Sequence, residues 1–132
     1  MNSYLSFQVQ DTLLGLDIQN VLEILPRQTL QKVPRSPEFL AGILNVRGEA
    51  FQIFDPAVTL YGKASDSGKS SCIILLSSPR MGLLVDRVHD VLGIAAENIQ
   101  RTDPAGYVDG VALEQSGTIF LIKPEKLGFG VI

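Results

Sequence analysis

The sequence predicts a mainly β chain with short helices, folded as two small five-stranded β-barrel subdomains that are related by an internal pseudo-repeat and share one hydrophobic core. Three observations lead there. Apolar residues alternate with polar ones at period two in some segments and run unbroken in others such as "CIILL", the patterns of half-buried and fully buried strands. Segments of the first half recur in the second at a nearly constant spacing. Each half carries about five short strands, too few to be stable as an open sheet, so closure into a barrel and packing against the other copy is the expected arrangement.

Taken in order, "YLSFQVQ" places Leu5, Phe7 and Val9 on one face of a strand, and "DTLLGLD" reads as a turn and a second strand. Ile18, Val21, Leu22 and Leu25 then fall at i, i+3, i+4 and i+7, which predicts a short helix capped by Asp17 and ended by Pro26. "SPEFLAG" carries helix signals as well: Ser36 as cap, Pro37 at the first position, Glu38 near the positive end and Gly42 as terminator. Two strands follow around a tight turn from Asn45 to Gly48. "YGKASDSGKSS" is a Gly, Ser and Lys-rich loop and the best boundary within the domain. After it "CIILLSSPRMGLLVD" repeats strand, turn, strand, and a second helix is expected with Val85, Val88, His89 and Leu92 on one face.

The repeat is explicit. Gly15, Leu16, Ile18, Val21 and Leu25 fall on Gly82, Leu83, Val85, Val88 and Leu92 at a spacing of 67 residues. Phe39, Gly42, Phe51, Ile53, Phe54 and Pro56 fall on Tyr107, Gly110, Ile119, Leu121, Ile122 and Pro124 at a spacing of 68. The 132 residues thus read as a single domain, subdomain one running roughly over 15–70 and subdomain two roughly over 71–127, with terminal segments able to cross between them.

Composition narrows the function. With 45% hydrophobic and 19% charged residues the chain suffices for one compact core, and roughly two thirds of its unfolded surface is buried on folding. Cys72 is the only cysteine and cannot pair within the chain, and no charged segment followed by an apolar core opens the sequence, so a cytoplasmic protein is expected. The apolar runs are far shorter than the roughly 20 residues that span a bilayer. A net charge of −3 with scattered basic residues argues against nucleic acid, whose binding rests on clustered Lys and Arg. The positive mean hydropathy without a membrane span points to a partner-facing apolar patch.

Catalytic chemistry finds little material. Gly68, Lys69 and Ser70 end a stretch like a phosphate-binding loop, but Gly62 precedes Gly68 by one residue too many, and the loop leads into a strand instead of a helix. Cys72 opens an apolar strand, where an inert buried thiol is the default. His89, the only histidine, reads as a partly buried structural residue, and Asp86 and Asp90 as a solvated helix face. One His and one Cys supply no zinc site, so no metal and no cofactor are expected.

Four blocks, "GLDIQNVLEIL", "VPRSPEFLAGILNVRGEAFQIFD", "GLLVDRVHDVL" and "YVDGVALEQSGTIFLIKPEKL", resemble the signature blocks of CheW-like coupling proteins of bacterial chemotaxis. The resemblance implies a non-enzymatic adaptor of two five-stranded barrels that joins the cytoplasmic tips of chemoreceptors to the regulatory domain of a CheA-type histidine kinase, recruited to membrane receptor arrays. It leaves open whether the chain itself assembles into higher-order arrays. The same module in type IV pilus twitching or in phototaxis is the alternative, and a small-barrel nucleic-acid binder the remote one.

Residue by residue, the resemblance implies that Arg47, Val88 and Val91 bind the receptor, that Val21, Glu23 and Ile24 bind the kinase, and that Asn45 and Gly48 shape the turn presenting Arg47. Read without the family, Arg47 is a turn arginine that is solvated or paired with Glu49, Val21 and Val88 are core, and Glu23 is a solvated neighbour. The sequence departs from the family at Gln52, where proline is usual, and at Lys123 and Pro124. The apolar "FGVI" tail is expected to complete a strand or cover a groove.

Overall fold

A computed structural model describes residues 1–65 and 72–127. The phosphate-loop-like Gly68, Lys69 and Ser70 and the tail at 129–132 lie outside the described residues. The chain begins with the hairpin β1 (Asn2–Val9) and β2 (Thr12–Asp17), a 3₁₀ turn at Ile18–Asn20, and β3 (Val21–Pro26). A strap without regular structure leads to the hairpin β4 (Leu40–Val46) and β5 (Glu49–Phe54), then α1 (Pro56–Tyr61). The second half repeats this with β6 (Cys72–Leu76), β7 (Met81–Val85), β8 (Arg87–Ile94), the short β9 (Gln100–Arg101), β10 (Val108–Glu114) and β11 (Gly117–Ile122).

The strands form a six-stranded sheet in the order β8-β1-β2-β11-β10-β9 and a five-stranded sheet in the order β3-β6-β7-β5-β4. Each sheet thus takes strands from both halves of the chain: β3 leaves its own hairpin to pair with β6, and β8 returns to pair with β1. The repeat is visible in the register. Phe7 faces Val88 and Tyr4 faces Leu92 in the first sheet; Leu76 faces Val21 and Ile73 faces Leu25 in the second. Leu40 pairs with Phe54 and Gly42 with Ile53, as Val108 pairs with Ile122 and Gly110 with Leu121. Even the β-bulges recur, one in β3 against Leu75 and one in β8 against Ser6, where the buried Ser6 hydroxyl donates to the Asp90 carbonyl at 2.7 Å and accepts from the Asp90 N–H at 3.0 Å.

Three apolar clusters fill this frame. One lies inside the first sheet (Tyr4, Ile94, Ile99, Ala112, Ile119, Leu121) and one inside the second (Leu44, Phe51, Ile53, Ile73, Leu75, Leu84). The largest joins the two, with Phe7, Leu14 and Leu16 from one sheet against Ile74, Leu76 and Leu83 from the other. Ile73 and Leu75 point one way and Ile74 and Leu76 the other, which is why this strand reads as an unbroken apolar run. The mainly β architecture, with paired sheets around a shared core, is as expected.

Three expected helices are corrected. Asp17 does accept the Gln19 N–H at 3.0 Å, but only one 3₁₀ turn follows before Val21 enters β3. The second predicted helix is β8, so Val85, Val88, His89 and Leu92 share no helix face. Both segments pair along an edge of a sheet, and bulges there shift the alternation toward a helix-like spacing. Ser36–Gly42 holds turns only: Leu40 N–H donates to the Pro37 carbonyl at 3.1 Å, and the next residues are already strand. Gly42 is glycine because the strap crosses it; a Cβ there would stand 2.8 Å from the Gln31 carbonyl oxygen and from Leu30 Cβ.

Among the described residues one α-helix forms, at Pro56–Tyr61. Asp55 caps it by accepting from Ala57 N–H at 3.1 Å, Pro56 opens it, and Gly62 closes it at φ 72°. The matched Lys123 supplies no side-chain cap, and the copy shrinks to one 3₁₀ turn.

Candidate functional site

The β4–β5 hairpin closes between Val46 and Glu49, leaving Arg47 and Gly48 as a two-residue loop. Their φ values, 50° and 82°, are both positive, as a type I′ hairpin turn requires. Gly48 adopts this conformation without strain, whereas Arg47 is an uncommon occupant of the left-handed region. Asn45 sits just before the loop, exposed on β4 opposite Ala50.

The turn aims Arg47 at β3. Its Nη2 donates to Glu23 Oε1 in an ion pair that spans 24 residues of sequence. The Glu23 carboxylate, through this hydrogen bond first and its charge second, pushes the guanidinium above its ordinary pKa, so Arg47 is charged at every physiological pH. Glu49, the alternative partner for Arg47, is taken instead by Arg80 at 3.2 Å. Since β3 and β4 stand at opposite ends of the sheet order, the Arg47 to Glu23 pair bridges the two edges of the five-stranded sheet.

β3 alternates. Val21, Glu23 and Leu25 are half-buried, and Leu22 and Ile24 are 52% and 43% exposed. Val21 packs on the shared core, and Ile24, the residue after Glu23, faces solvent. The structure therefore brings Arg47, expected at one partner site, together with Glu23, expected at the other. Val88 and Val91 lie elsewhere, on the edge strand β8 of the six-stranded sheet. Val88 packs against the shared core, and Val91 is 54% exposed at the position matching Ile24.

Sequence reasoning missed Leu22 and Arg80, the first because β3 was read as a helix, the second because its partner Glu49 is distant in sequence. Two other readings are corrected. His89 is exposed, its Nε2 3.0 Å from Gln8 Oε1, because the edge strand turns it outward instead of into a core. Asp86 is not on a solvated helix face; its carboxylate accepts the Gln10 N–H at 2.8 Å and pins the β1–β2 turn. Cys72 is half-buried.

A strand that exposes apolar side chains and also carries a directed ion pair is suited to binding protein, since interfaces combine an apolar centre with a polar rim and favour arginine anchors. Among the described residues no three His, Cys, Asp or Glu side chains gather as a metal site, and no helix is long and apolar enough to cross a membrane.

Comparison with known proteins fits this geometry. The crystal structure of scaffolding protein TtCheW from Thermoanaerobacter tengcongensis superposes with a TM-score of 0.81 at 31% identity, covering 92% of this chain and 88% of that one. The chain is 31% identical over 101 residues to the Chemotaxis protein CheW of Thermotoga maritima, covering 75% of this chain and 66% of that protein. It is 27% identical over 132 residues to the Chemotaxis protein CheW of Klebsiella aerogenes, covering 94% and 80%. The chain thus spans from about two thirds to four fifths of these relatives' length. A family model, the CheW-like domain, matches residues 3–128, from β1 to the turn after β11. With both sheets and the hairpin of Arg47 inside that match, the chain belongs to the CheW-like domain family of chemotaxis scaffolds.

Proposed function

We propose that this chain is a non-enzymatic adaptor that couples chemoreceptor tips to the regulatory domain of a CheA-type histidine kinase. The observation that carries the reading is β3 itself, which exposes Leu22 and Ile24 and carries Glu23 in its directed ion pair with Arg47. Val21, Glu23 and Ile24 bind the kinase, and Arg47 with Val88 and Val91 binds the receptor. Because Glu23 and Arg47 hold each other, the two partners meet surfaces that share one hinge point, and a load on one side chain is felt by the other. Single contacts of this size give affinities near the micromolar range, and strength comes from several linked contacts in an array at the membrane.

The test measures binding of the full chain to the regulatory domain of a CheA-type kinase from the same genome and to a receptor tip fragment. Micromolar binding to both supports the adaptor reading. Absence of binding to either at tens of micromolar overturns it. Pairing with the kinase of a pilus or phototaxis operon, in place of the swimming kinase, would assign the alternative pathway.

A further inference from the structure

The internal repeat shows what is missing from one end of the six-stranded sheet. In the five-stranded sheet two ion pairs close the matching end, Arg47 to Glu23 and Arg80 to Glu49. The register fixes the counterparts of these four residues as Gln115, Asp90, Leu13 and Gly117. Both cations are lost and one carboxylate is lost. Asp90 alone keeps its charge.

At this end lies an open cleft of about 310 Å³ walled by β8, the β1–β2 hairpin and the tip of the β10–β11 hairpin. Ser6 and Gln8 of β1, Asp11, His89, Asp90 and Ser116 line it with Leu13 and Leu92, which are half-buried against the first sheet's own cluster. Asp11 is a second carboxylate that the other copy lacks, since Ser78 stands at the matching place. Neither Asp11 nor Asp90 takes part in an ion pair among the described residues. Leu13 and Leu92 thus give the cleft apolar surface, and Asp11 and Asp90 give it negative charge. That chemistry suits an arginine, whose stem packs on apolar surface while its planar fork engages carboxylates. The other half of the same molecule displays the arrangement, a hairpin-tip guanidinium seated on the carboxylate equivalent to Asp90.

We propose that this cleft receives an arginine from the hairpin tip of a partner protein, seated between Asp11 and Asp90 in the place that Arg47 fills in the other sheet. The contact is separate from the β3 patch and does not depend on the kinase and receptor assignments made there. It is an intermolecular version of a clasp that the second half of the chain no longer makes for itself.

The probe is a cyclised hairpin peptide with the sequence of residues 40–54, compared with the same peptide carrying glutamine in place of its arginine. Titrated into the full ¹⁵N-labelled chain, the arginine peptide is expected to shift the amides of Asp11, Asp90 and Ser116 and to bind at least fivefold more tightly than the glutamine peptide. Asp90→Asn and Asp11→Asn each weaken it severalfold. Gln115→Arg, which rebuilds the clasp within the chain, abolishes it while the spectrum stays that of a folded protein. Equal binding of the two peptides, no binding of either, shifts centred elsewhere, or full affinity in Asp90→Asn would overturn the proposal.

Discussion

Glu23 on β3 and Arg47 at the β4–β5 turn hold the two ends of the five-stranded sheet together through one exposed ion pair. If this pair organises the binding patch, reversing either charge harms binding more than stability, because exposed pairs add little to folding. Glu23→Lys and Arg47→Glu are each expected to weaken kinase or receptor binding about tenfold while leaving the melting curve nearly unchanged. The charge-swapped double variant should regain at least threefold of that loss, read in a double-mutant cycle by calorimetry.

Gly42 and Gly110 occupy matching places under two crossing segments. A Cβ at Gly42 would meet the Gln31 carbonyl oxygen at 2.8 Å, and one at Gly110 would meet Ile99 Cγ2 at 2.5 Å and the Gln100 carbonyl oxygen at 3.2 Å. Each Gly→Ala change is expected to cost about 1–3 kcal/mol by overpacking. Gly42→Ala should cost more, since its nearest neighbour is backbone and cannot rotate away. Urea denaturation measures both.

Asp55 is nearly fully buried, and its carboxylate accepts the Ala57 N–H, the Ser65 N–H at 2.7 Å and the Ser65 hydroxyl at 2.6 Å. Asp55→Ala removes a helix cap and strands two donors. A loss of about 2–3 kcal/mol is expected, together with faster amide exchange in α1, and Asp55→Asn should fall between the two.

Burial raises the pKa of Tyr107 above that of an ordinary tyrosine. The folded state therefore favours the neutral phenol, and stability is whole below pH about 10 and declines as pH rises past the unfolded value. Its repeat partner is Phe39, which stacks on Phe54 with ring centroids 6.2 Å apart. Tyr107→Phe is expected to leave stability at pH 7 nearly unchanged and to delay alkaline unfolding. Circular dichroism between pH 9 and 12 with parallel tyrosine absorbance tests this.

Much of the fold was legible because its strands obey simple patterns. The 68-residue repeat correctly paired Gly42 with Gly110 and Phe51 with Ile119, and the structure reproduces it as register. The copies Val21–Leu25 and Val88–Leu92 were misread alike, because a bulge at the same point gave both a helical spacing. The match of β1 with β6 was invisible, since Tyr4-Leu5-Ser6-Phe7 and Ile73-Ile74-Leu75-Leu76 share no residue and only pairing reveals it. At the site, the turn around Arg47 stood out because a tight turn exposes whatever it carries. Glu23 could not be named as its partner, because proximity across a curled sheet leaves no trace in local sequence.

The exchange of β3 and β8 between the two sheets also governs how the chain can be made. On the ribosome β1 and β2 emerge first, yet their outer neighbours, β8 and β11, come from the second half of the chain. Neither sheet is complete until β7 and β8 have cleared the exit tunnel, and the first must also await β11. The nascent chain therefore carries the apolar face of Phe7, Leu14 and Leu16 uncovered through most of its synthesis, a surface open to holding chaperones and to aggregation until the second half arrives.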